Sequence, residues 1–295
     1  MTTIKDMLAD AKRQTYGSLS DQINLISAVS APGADEISLE LDVTGITAGM
    51  VLSAGLNVWY VKGISSSENL VYVIPGYDNS PQDATAIGDF VYIKPRVTDW
   101  YLFNVMNQEI VKLSSPSNGL YKISAFVSEV NATWQTYEIP DADAAAFTGM
   151  LRIRYRVPGS AETWIDIPEK AYRIQINEGT SYIRMLRNIP SGSEIEFTYK
   201  GSFTQATSLL DDPVADCGLT ATMVDIPPLG CVATLLRTTD SRRNQVQQQG
   251  DARRAGEVGN NSNAAIANQI DRQYRDRVQE EYARLTTRVP IIRSL

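Results

Sequence analysis

Alternating apolar and polar residues fill the first third of the chain and predict β-strands. Between residues 37 and 43 an apolar side chain stands at every second position, which gives a strand one buried and one solvent-facing side. Three further strand patterns, at 58–61, 70–74 and 90–93, are separated by Gly- and Pro-containing turns. Strands this short and this regularly spaced predict a small β-barrel or sandwich over residues 36–95, and we take the barrel as the prediction.

A connecting helix and a second set of strand patterns follow. Residues 97–113 carry apolar side chains three or four apart, which predicts a helix with Thr98 as its N-cap. Its apolar residues are Trp100, Phe103, Met106, Ile110 and Leu113. A polar loop at 114–119 completes a connecting segment over 96–119. An antiparallel β-sandwich of jelly-roll type is then predicted over 120–224 from seven strand patterns: 121–124, 134–139, 151–155, 164–167, 172–176, 182–186 and 194–199.

Helical patterns occupy both ends of the chain. Residues 1–35 are predicted to form a helical arm and a linker, because the apolar residues between 4 and 11 share one side of a helix. Residues 225–295 are predicted to form a helical hairpin or tail, whose first helix begins at Pro227 and Pro228. The predicted fold class is therefore mainly β, with a small β-barrel, an antiparallel sandwich, an N-terminal helical arm and a C-terminal helical tail.

The last helical pattern, over about 264–287, carries a narrow apolar stripe that predicts a docking surface. Its members are Ile266, Ile270, Tyr274, Val278, Tyr282 and Leu285. Burying such a side chain is worth about 1.5–3 kcal/mol, so a stripe of this kind favours a partner. We predict that these residues, with Arg253 and Arg254 in the polar segment before them, form an oligomer or partner interface. Truncation after Gly259 is then expected to leave a folded β body that no longer assembles.

The chain contains 0 His among its 295 residues, which removes the commonest catalytic constellations. A Ser-His-Asp triad, a Cys-His pair, an HExxH helix and a histidine metal site are all impossible. A general base near neutral pH would have to be a shifted carboxylate, a Lys or a Tyr. We therefore expect no enzyme activity, no cofactor and no bound metal.

Charge and cysteine content narrow the class of partner. The net charge of −7 and the pI near 4.8 disfavour a general nucleic-acid binder, whose affinity comes from neutralising phosphates. Cys217 and Cys231 have no CxxC spacing and are expected to be buried, reduced thiols. Neither a signal-peptide h-region nor a stretch of membrane-spanning length is present, so we expect a soluble protein without a membrane partner.

Acidic residues offer weaker candidates for chemistry. Two groups have the composition of a glycosidase carboxylate pair: Asp141 with Asp143, and Asp211 with Asp212 and Asp216. Both groups lie in Pro- and Ala-containing loops, where Asp commonly forms turns, so the structural interpretation is favoured. The adjacent Glu280 and Glu281 point in different directions on a helix and are predicted to be solvated.

Several segments of the predicted barrel follow one order of strands and Gly-containing turns: 43–46, 49–52, 60–64, 71–76, Ser80 and 86–91. This order resembles a small β module that recurs in structural proteins of tailed bacteriophages. In that module a strand, a Gly-rich turn, a second strand ending in Arg-Gly or Pro-Gly and a His-x-x-Gly-x-x-Val closing strand build a compact barrel. Thr85 or Ala86 stands where the module often has its His, so no role is carried over to that position.

The tail carries a second pattern, made of residues 225–230 (DIPPLG), Leu235-Leu236, residues 249–255 (QGDARRA) and Arg284-Leu285. This pattern is similar to the C-terminal part of phage neck and head–tail connector proteins. Residues 190–192 and 197–199 likewise look like the end of their β-sandwich. Together the resemblances cover most of residues 36–290.

The resemblance implies a virion structural protein of the phage neck, synthesised in the host bacterial cytoplasm. Such an adaptor forms a homo-oligomeric ring, which needs heterologous contacts, and joins the portal protein to the tail. The resemblance implies about twelve copies, to match a portal, or else six. The other partners would be tail and neck proteins, and DNA in transit. An acidic β body repels DNA and lets it slide without sequence-specific binding.

Two alternatives from other classes stay open. A carbohydrate-binding or adhesion module of the tail or baseplate would need an exposed tryptophan platform. Trp134 and Trp164 lie in alternating strand patterns, which favours core positions for both. A histidine-free glycosidase would need one of the two carboxylate groups in a pocket.

Overall fold

The computed structural model describes residues 2–16, 22–43, 45–130, 135–140, 147–157, 159, 163–177, 180–247 and 262–288. These residues form four α-helices and 13 β-strands in antiparallel sheets, so the predicted mainly β fold is confirmed. The chain divides into two compact units, and neither is a continuous stretch of sequence. The first contains Met1–Glu109, Ala206–Ala215 and Val224–Tyr274; the second contains Ile110–Gln205, Asp216–Met223 and Arg275–Leu295.

The first unit is built on a six-stranded antiparallel sheet that curls into a half-barrel. Its strands are β1 (Gln22–Leu25), β2 (Glu36–Ser38), β3 (Val51–Ala54), β4 (Asn57–Ser65), β5 (Leu70–Ile74) and β6 (Phe90–Ile93). They lie in the order β1-β6-β3-β4-β5-β2. The inner face is apolar because alternate residues point inward, and Ile37, Leu52, Val61 and Val91 are buried there.

One buried polar side chain helps the half-barrel to close. Asn24 of β1 is 2% exposed and bonds the backbone of Leu41 twice. Its Nδ2 donates to the Leu41 carbonyl at 3.2 Å, and its Oδ1 accepts from the Leu41 N–H at 2.9 Å. Directly after β1, Ile26 forms a bridge with Leu39, which follows β2. The two edge strands of the sheet, β1 and β2, therefore meet at their ends. Their backbone groups there are covered by the same chain.

Strand β1 differs from the sequence-based expectation. The predicted barrel begins at residue 36, and the residues before it are predicted to be a helical arm and a linker. The structure places β1 in that linker, paired with β6 from Gln22–Ile93 to Leu25–Phe90. The segment QINL carries only two large apolar side chains, so its alternation does not stand out from a polar linker.

Four helices complete the described residues: α1 (Ile4–Tyr16), α2 (Asp99–Leu113), α3 (Ile226–Gln247) and α4 (Ser262–Arg288). Helix α1 packs on α3 in the first unit and buries the four apolar residues predicted for its inner side: Ile4, Met7, Leu8 and Ala11. It begins with a capping box, in which Thr3 Oγ1 accepts from the Asp6 N–H at 3.3 Å and the Asp6 carboxylate accepts from the Thr3 N–H at 2.8 Å. The hydrogen bonds that the Thr3 N–H and the Thr3 hydroxyl donate to this carboxylate lower the pKa of Asp6.

Helix α2 begins as predicted, because Thr98 Oγ1 accepts from the Tyr101 N–H at 3.2 Å. Four of its five predicted apolar residues are buried: Phe103, Met106, Ile110 and Leu113. The fifth, Trp100, is half-buried and donates from its indole N–H to the Asp78 carbonyl at 3.0 Å. Among the described helices, none combines the length and apolar character needed to cross a membrane.

Two antiparallel sheets in the second unit share one apolar core. Their strands in the described ranges are β7 (Lys122–Glu129), β8 (Thr136–Glu138), β9 (Phe147–Arg156), β10 (Ile165–Ile167), β11 (Tyr172–Asn177), β12 (Thr180–Met185) and β13 (Glu194–Gly201). One sheet has the order β10-β9-β13-β7 and the other β11-β12-β8. Each of the seven strand patterns predicted between 120 and 203 overlaps one of these strands.

Aromatic side chains join the two sheets of the sandwich. Phe126 of β7 stacks on Phe197 of β13 with ring centroids 4.7 Å apart. Tyr137 of β8 reaches the same ring from the other sheet at 4.9 Å. Phe197 and Tyr199 are fully buried, so this cluster lies at the centre of the core and confirms the predicted sandwich.

We expect Asn24→Ala to lower the free energy of unfolding by about 1–3 kcal/mol, because the backbone N–H and carbonyl of Leu41 both lose their partner. Chemical denaturation followed by circular dichroism and tryptophan fluorescence measures this change. Gln22→Ala removes an exposed side chain from the same strand and should cost less than about 0.5 kcal/mol. Equal costs for the two substitutions would show that Asn24 does not support closure.

Candidate functional site

Strand β11 lies at an edge of its sheet and is exposed on both faces. Among the described strands it pairs with β12 alone, in a register that runs from Tyr172–Met185 to Asn177–Thr180. An edge strand presents a row of backbone groups along its outer side and is a natural place for another chain to dock. The surface of β11 and β12 is therefore the first candidate for a functional site.

One face of β11 carries apolar side chains that the sandwich core leaves uncovered. Ile174 and Ile176 share a face with Tyr172, and their partners on β12 are the buried Ile183 and Ser181. Yet Ile174 is 39% exposed and Ile176 is 69% exposed. Burying such a side chain fully is worth about 1.5–3 kcal/mol. This apolar face of β11 is thus suited to contact another protein surface.

On the opposite face of the same sheet, two arginines form a cross-strand pair. Arg173 of β11 and Arg184 of β12 are direct partners in the register, and both are exposed. Within the described part of the chain, neither forms an ion pair or a side-chain hydrogen bond. Like charges directly opposite on a sheet destabilise it, by the same order as a favourable pair stabilises, about 0.2–1 kcal/mol. The half-buried Tyr182 lies beside this arginine pair on the same face.

In the four-stranded sheet, by contrast, the arginines form ion pairs. Arg152, Arg154 and Arg156 alternate along β9, and each has its own carboxylate partner. In the same order, these partners are Asp166 at 2.6 Å, Glu196 at 2.7 Å and Glu194. The hydrogen bond from Arg152 lowers the pKa of Asp166. Pairing of this kind is what the arginine pair on β11 and β12 lacks.

Trp164 does not occupy the core position predicted for it. It is half-buried at the surface, directly before β10. The guanidinium carbons of Arg154 and Arg156 lie 4.7 and 5.3 Å from the centroid of its ring. These cation–π contacts therefore occupy ring surface on which a sugar would have to stack. Trp134, the other tryptophan considered, lies outside the described residues.

Helix α4 buries half of its predicted docking stripe. Tyr274, Val278 and Leu285 are buried. Ile270 is half-buried, while Ile266 and Tyr282 are each 48% exposed. The two exposed residues lie more than four turns apart on different sides of the helix, so they do not form one continuous surface. The remaining two residues of the predicted interface, Arg253 and Arg254, lie outside the described residues.

Glu281 is a buried carboxylate, although the sequence predicts a solvated one. It is 2% exposed and accepts hydrogen bonds from Arg284 at 2.7 Å and from Thr222 Oγ1 at 3.0 Å. Arg277 reaches the same carboxylate at 3.4 Å and also donates to the Thr222 carbonyl at 2.8 Å. The adjacent Glu280 stays exposed, as predicted, and pairs with Arg284 at 3.0 Å. Within the second unit, Glu281 fastens the end of α4 to the segment Asp216–Met223.

Of the candidate carboxylate residues, the structure describes Asp211, Asp212 and Asp216. Asp211 caps its own loop, because its carboxylate accepts from the N–H groups of Thr207 and Ser208 at 2.7 and 2.9 Å. Burial opposes these bonds, but together they lower the pKa of Asp211. This geometry is consistent with the favoured interpretation of Asp211 as a turn-forming residue. Asp141 and Asp143 lie outside the described residues.

The two cysteines are both buried free thiols, as predicted. Cys231 lies on α3 in the first unit, and Cys217 lies in the second unit. Burial, together with the nearby Glu109 carboxylate, raises the pKa of Cys231 far above its usual value. A protonated, enclosed thiol is a poor nucleophile, so Cys231 is a core residue rather than a catalytic one.

A cleft of about 790 Å³ opens in the first unit, lined by α1 and by strands β1 and β6. Ile23 and Phe90 contribute exposed apolar side chains to its wall. Lys12 forms an ion pair with Asp99, which also lines the cleft, and its Nζ lies 5.4 Å from the centroid of the Tyr92 ring. The Lys12 side chain is therefore engaged in an ion pair and a ring contact inside this cleft.

Neither a metal centre nor a relative identifies a site in this chain. Across the residues that the structure describes, no group of three or more His, Cys, Asp or Glu side chains is placed to hold a metal ion. No known protein family matches the sequence, and no curated protein matches it. The exposed surface of β11 and β12 thus remains the best-defined candidate.

We expect Glu281→Ala to lower the free energy of unfolding by about 1–3 kcal/mol, because it leaves Thr222 and two guanidinium groups without their shared acceptor. Glu280→Ala is the matched control, since Glu280 pairs with the same two arginines from an exposed position. Its cost should stay below about 1 kcal/mol. Thermal and urea denaturation measure both. A cost for Glu280→Ala as large as that for Glu281→Ala would contradict this account.

Proposed function

We propose that this chain is a structural protein of the neck of a tailed bacteriophage. In this proposal, copies of the chain form a ring that joins the portal protein to the tail and surrounds the passage for DNA. The observation that carries the proposal is the uncovered apolar face of β11, where Ile174 and Ile176 remain exposed. A neighbouring copy would bury these side chains on assembly.

The resemblance of residues 43–91 to a module of tailed-phage structural proteins, and of the tail to phage neck proteins, supports this choice of assembly. It also supports a ring of about twelve copies, or else six. A ring needs two different contact surfaces on each copy, so that every contact is heterologous. The edge strand β11 supplies one such surface in the second unit.

The charge of the half-barrel supports a role beside DNA. Residues 22–99 contain nine Asp and Glu but only three Lys and Arg. An acidic surface repels phosphate, so DNA would pass without binding. We propose no catalytic activity, since the sequence has no His and, among the described residues, the carboxylates of Asp211 and Glu281 serve structural hydrogen bonds or ion pairs. The arginines that cover Trp164 make a sugar-binding platform there the weaker alternative.

The purified chain, alone and co-expressed with a portal protein, is expected to form rings in electron micrographs and a single large species in sedimentation. Ile176→Asp should weaken self-association by at least about tenfold, because a charge would have to be buried in the contact. Leu210→Asp changes another exposed apolar residue, 75% exposed and outside β11, and should leave assembly intact.

Finding monomers alone in both preparations would show that the chain is not a ring component. Rings that form equally well with Ile176→Asp would instead remove the apolar face of β11 from the contact. Circular dichroism of both variants confirms that the sandwich is still folded, which the exposure of both positions leads us to expect.

A further inference from the structure

We infer that the outer face of the three-stranded sheet, centred on Arg173 and Arg184, docks on the acidic edge of the half-barrel of a second copy. This contact rests on the proposed function, since it names the surfaces through which copies would join. The acidic edge means the exposed carboxylate side chains of Asp35, Glu36 and Glu40, at and beside the end strand β2, whose backbone meets β1 within the same chain.

Arg173 and Arg184 are suited to bind an anionic partner outside their own sheet. The sandwich places an acidic residue opposite or beside each of Arg152, Arg154 and Arg156, and those ion pairs are formed. Arg173 and Arg184 form no ion pair among the described residues and face each other instead, although the exposed Glu138 of β8 lies diagonal to Arg184 on the same face. An external carboxylate surface would remove their mutual repulsion and use their donors.

The edge of the half-barrel has the complementary composition. Asp35, Glu36 and Glu40 are exposed, and in the described ranges their carboxylates form no ion pair and no side-chain hydrogen bond. Glu36 is the direct partner of Tyr72 on β5, which is 37% exposed. The acidic edge therefore combines unpaired carboxylates with an exposed aromatic ring.

The two surfaces carry opposite charges, and each also carries a tyrosine ring. The arginine face carries the half-buried Tyr182 beside its two cations, and the acidic edge carries Tyr72 beside its carboxylates. Charged groups of this sort set the orientation and the rate of association, while the aromatic rings supply buried area. Because the two surfaces differ, the contact is heterologous, as a ring requires.

Duplex DNA is the rival anion for the arginine face. Two arginines neutralise few phosphates, and the chain as a whole carries a net charge of −7, so the second copy is favoured. The two occupants differ in a measurable way. The carboxylates of a second copy can be replaced by arginines through mutation, whereas the phosphates of DNA cannot.

A charge-swap experiment tests the contact by sedimentation and mass photometry of the full chain. The first variant combines Arg173→Glu with Arg184→Glu, and the second combines Glu36→Arg with Glu40→Arg. Each is expected to raise the concentration for half-assembly by about tenfold or more, because like charges then meet across the contact. A chain with all four substitutions should recover assembly to within about threefold of wild type. Lys5→Glu with Arg13→Glu, two exposed positions on α1, controls for the change in net charge.

The outcomes separate this contact from the proposed function. Wild-type rings together with rings of the Arg173→Glu, Arg184→Glu variant would overturn the contact and leave the ring intact. Loss of assembly in both double variants without recovery in the combined one would show that these surfaces do not face each other. Wild-type chain that stays monomeric, alone and with a portal protein, would overturn the proposed function and this contact with it.

Binding of labelled duplex DNA, followed by fluorescence anisotropy, tests the rival. We expect no difference between wild type and the Arg173→Glu, Arg184→Glu variant. Binding by wild type that this variant abolishes, with assembly unchanged, would assign the face to DNA and refute the contact between copies.

Discussion

The hydrogen bonds of edge strands are the constraint on which both β modules depend. A sheet that ends in water leaves a row of backbone groups open to other chains. The half-barrel meets this constraint within one chain, because Asn24 bonds the backbone of Leu41 and Ile26 bridges Leu39. The sandwich leaves β11 at an edge with both of its faces exposed. One module is thus closed on itself, and the other keeps a surface for contact.

Buried amide and carboxylate side chains explain why the two units are not continuous in sequence. Asn107 of α2 bonds both backbone groups of Ala206, at 3.0 and 2.9 Å, and so ties Ala206–Ala215 to the first unit. It does there what Asn24 does in the half-barrel, since an amide can replace a neighbouring strand as donor and acceptor. Glu281 plays the equivalent part in the second unit through Thr222.

Local sequence patterns predict most helices and strands of this fold. The contacts between side chains depend on how these elements pair in space. Alternation marked all seven strands of the sandwich, and helical spacing marked α1 and α2 with their buried sides. Strands β1 (QINL) and β3 (VLSA) escaped because each carries only two large apolar side chains, whereas the predicted four-residue strand β6 (FVYI) carries four. The burial of Glu281 escaped because its partner Thr222 is remote in sequence. The stacking of Trp164 escaped for the same reason, since its arginines belong to another strand. The opposition of Arg173 and Arg184 also depends on the pairing of two strands, although both strands themselves were predicted.

The placement of the two cysteines gives each unit its own internal reporter. Cys231 is enclosed in the first unit and Cys217 in the second, and both are 0% exposed. A thiol reagent can reach either sulfur only when the surrounding structure opens. The rates at which the two sulfurs are modified under native conditions therefore measure the opening of each unit separately, without any label being introduced. A contact that stabilises one unit would slow the modification of that unit's cysteine and leave the other rate unchanged.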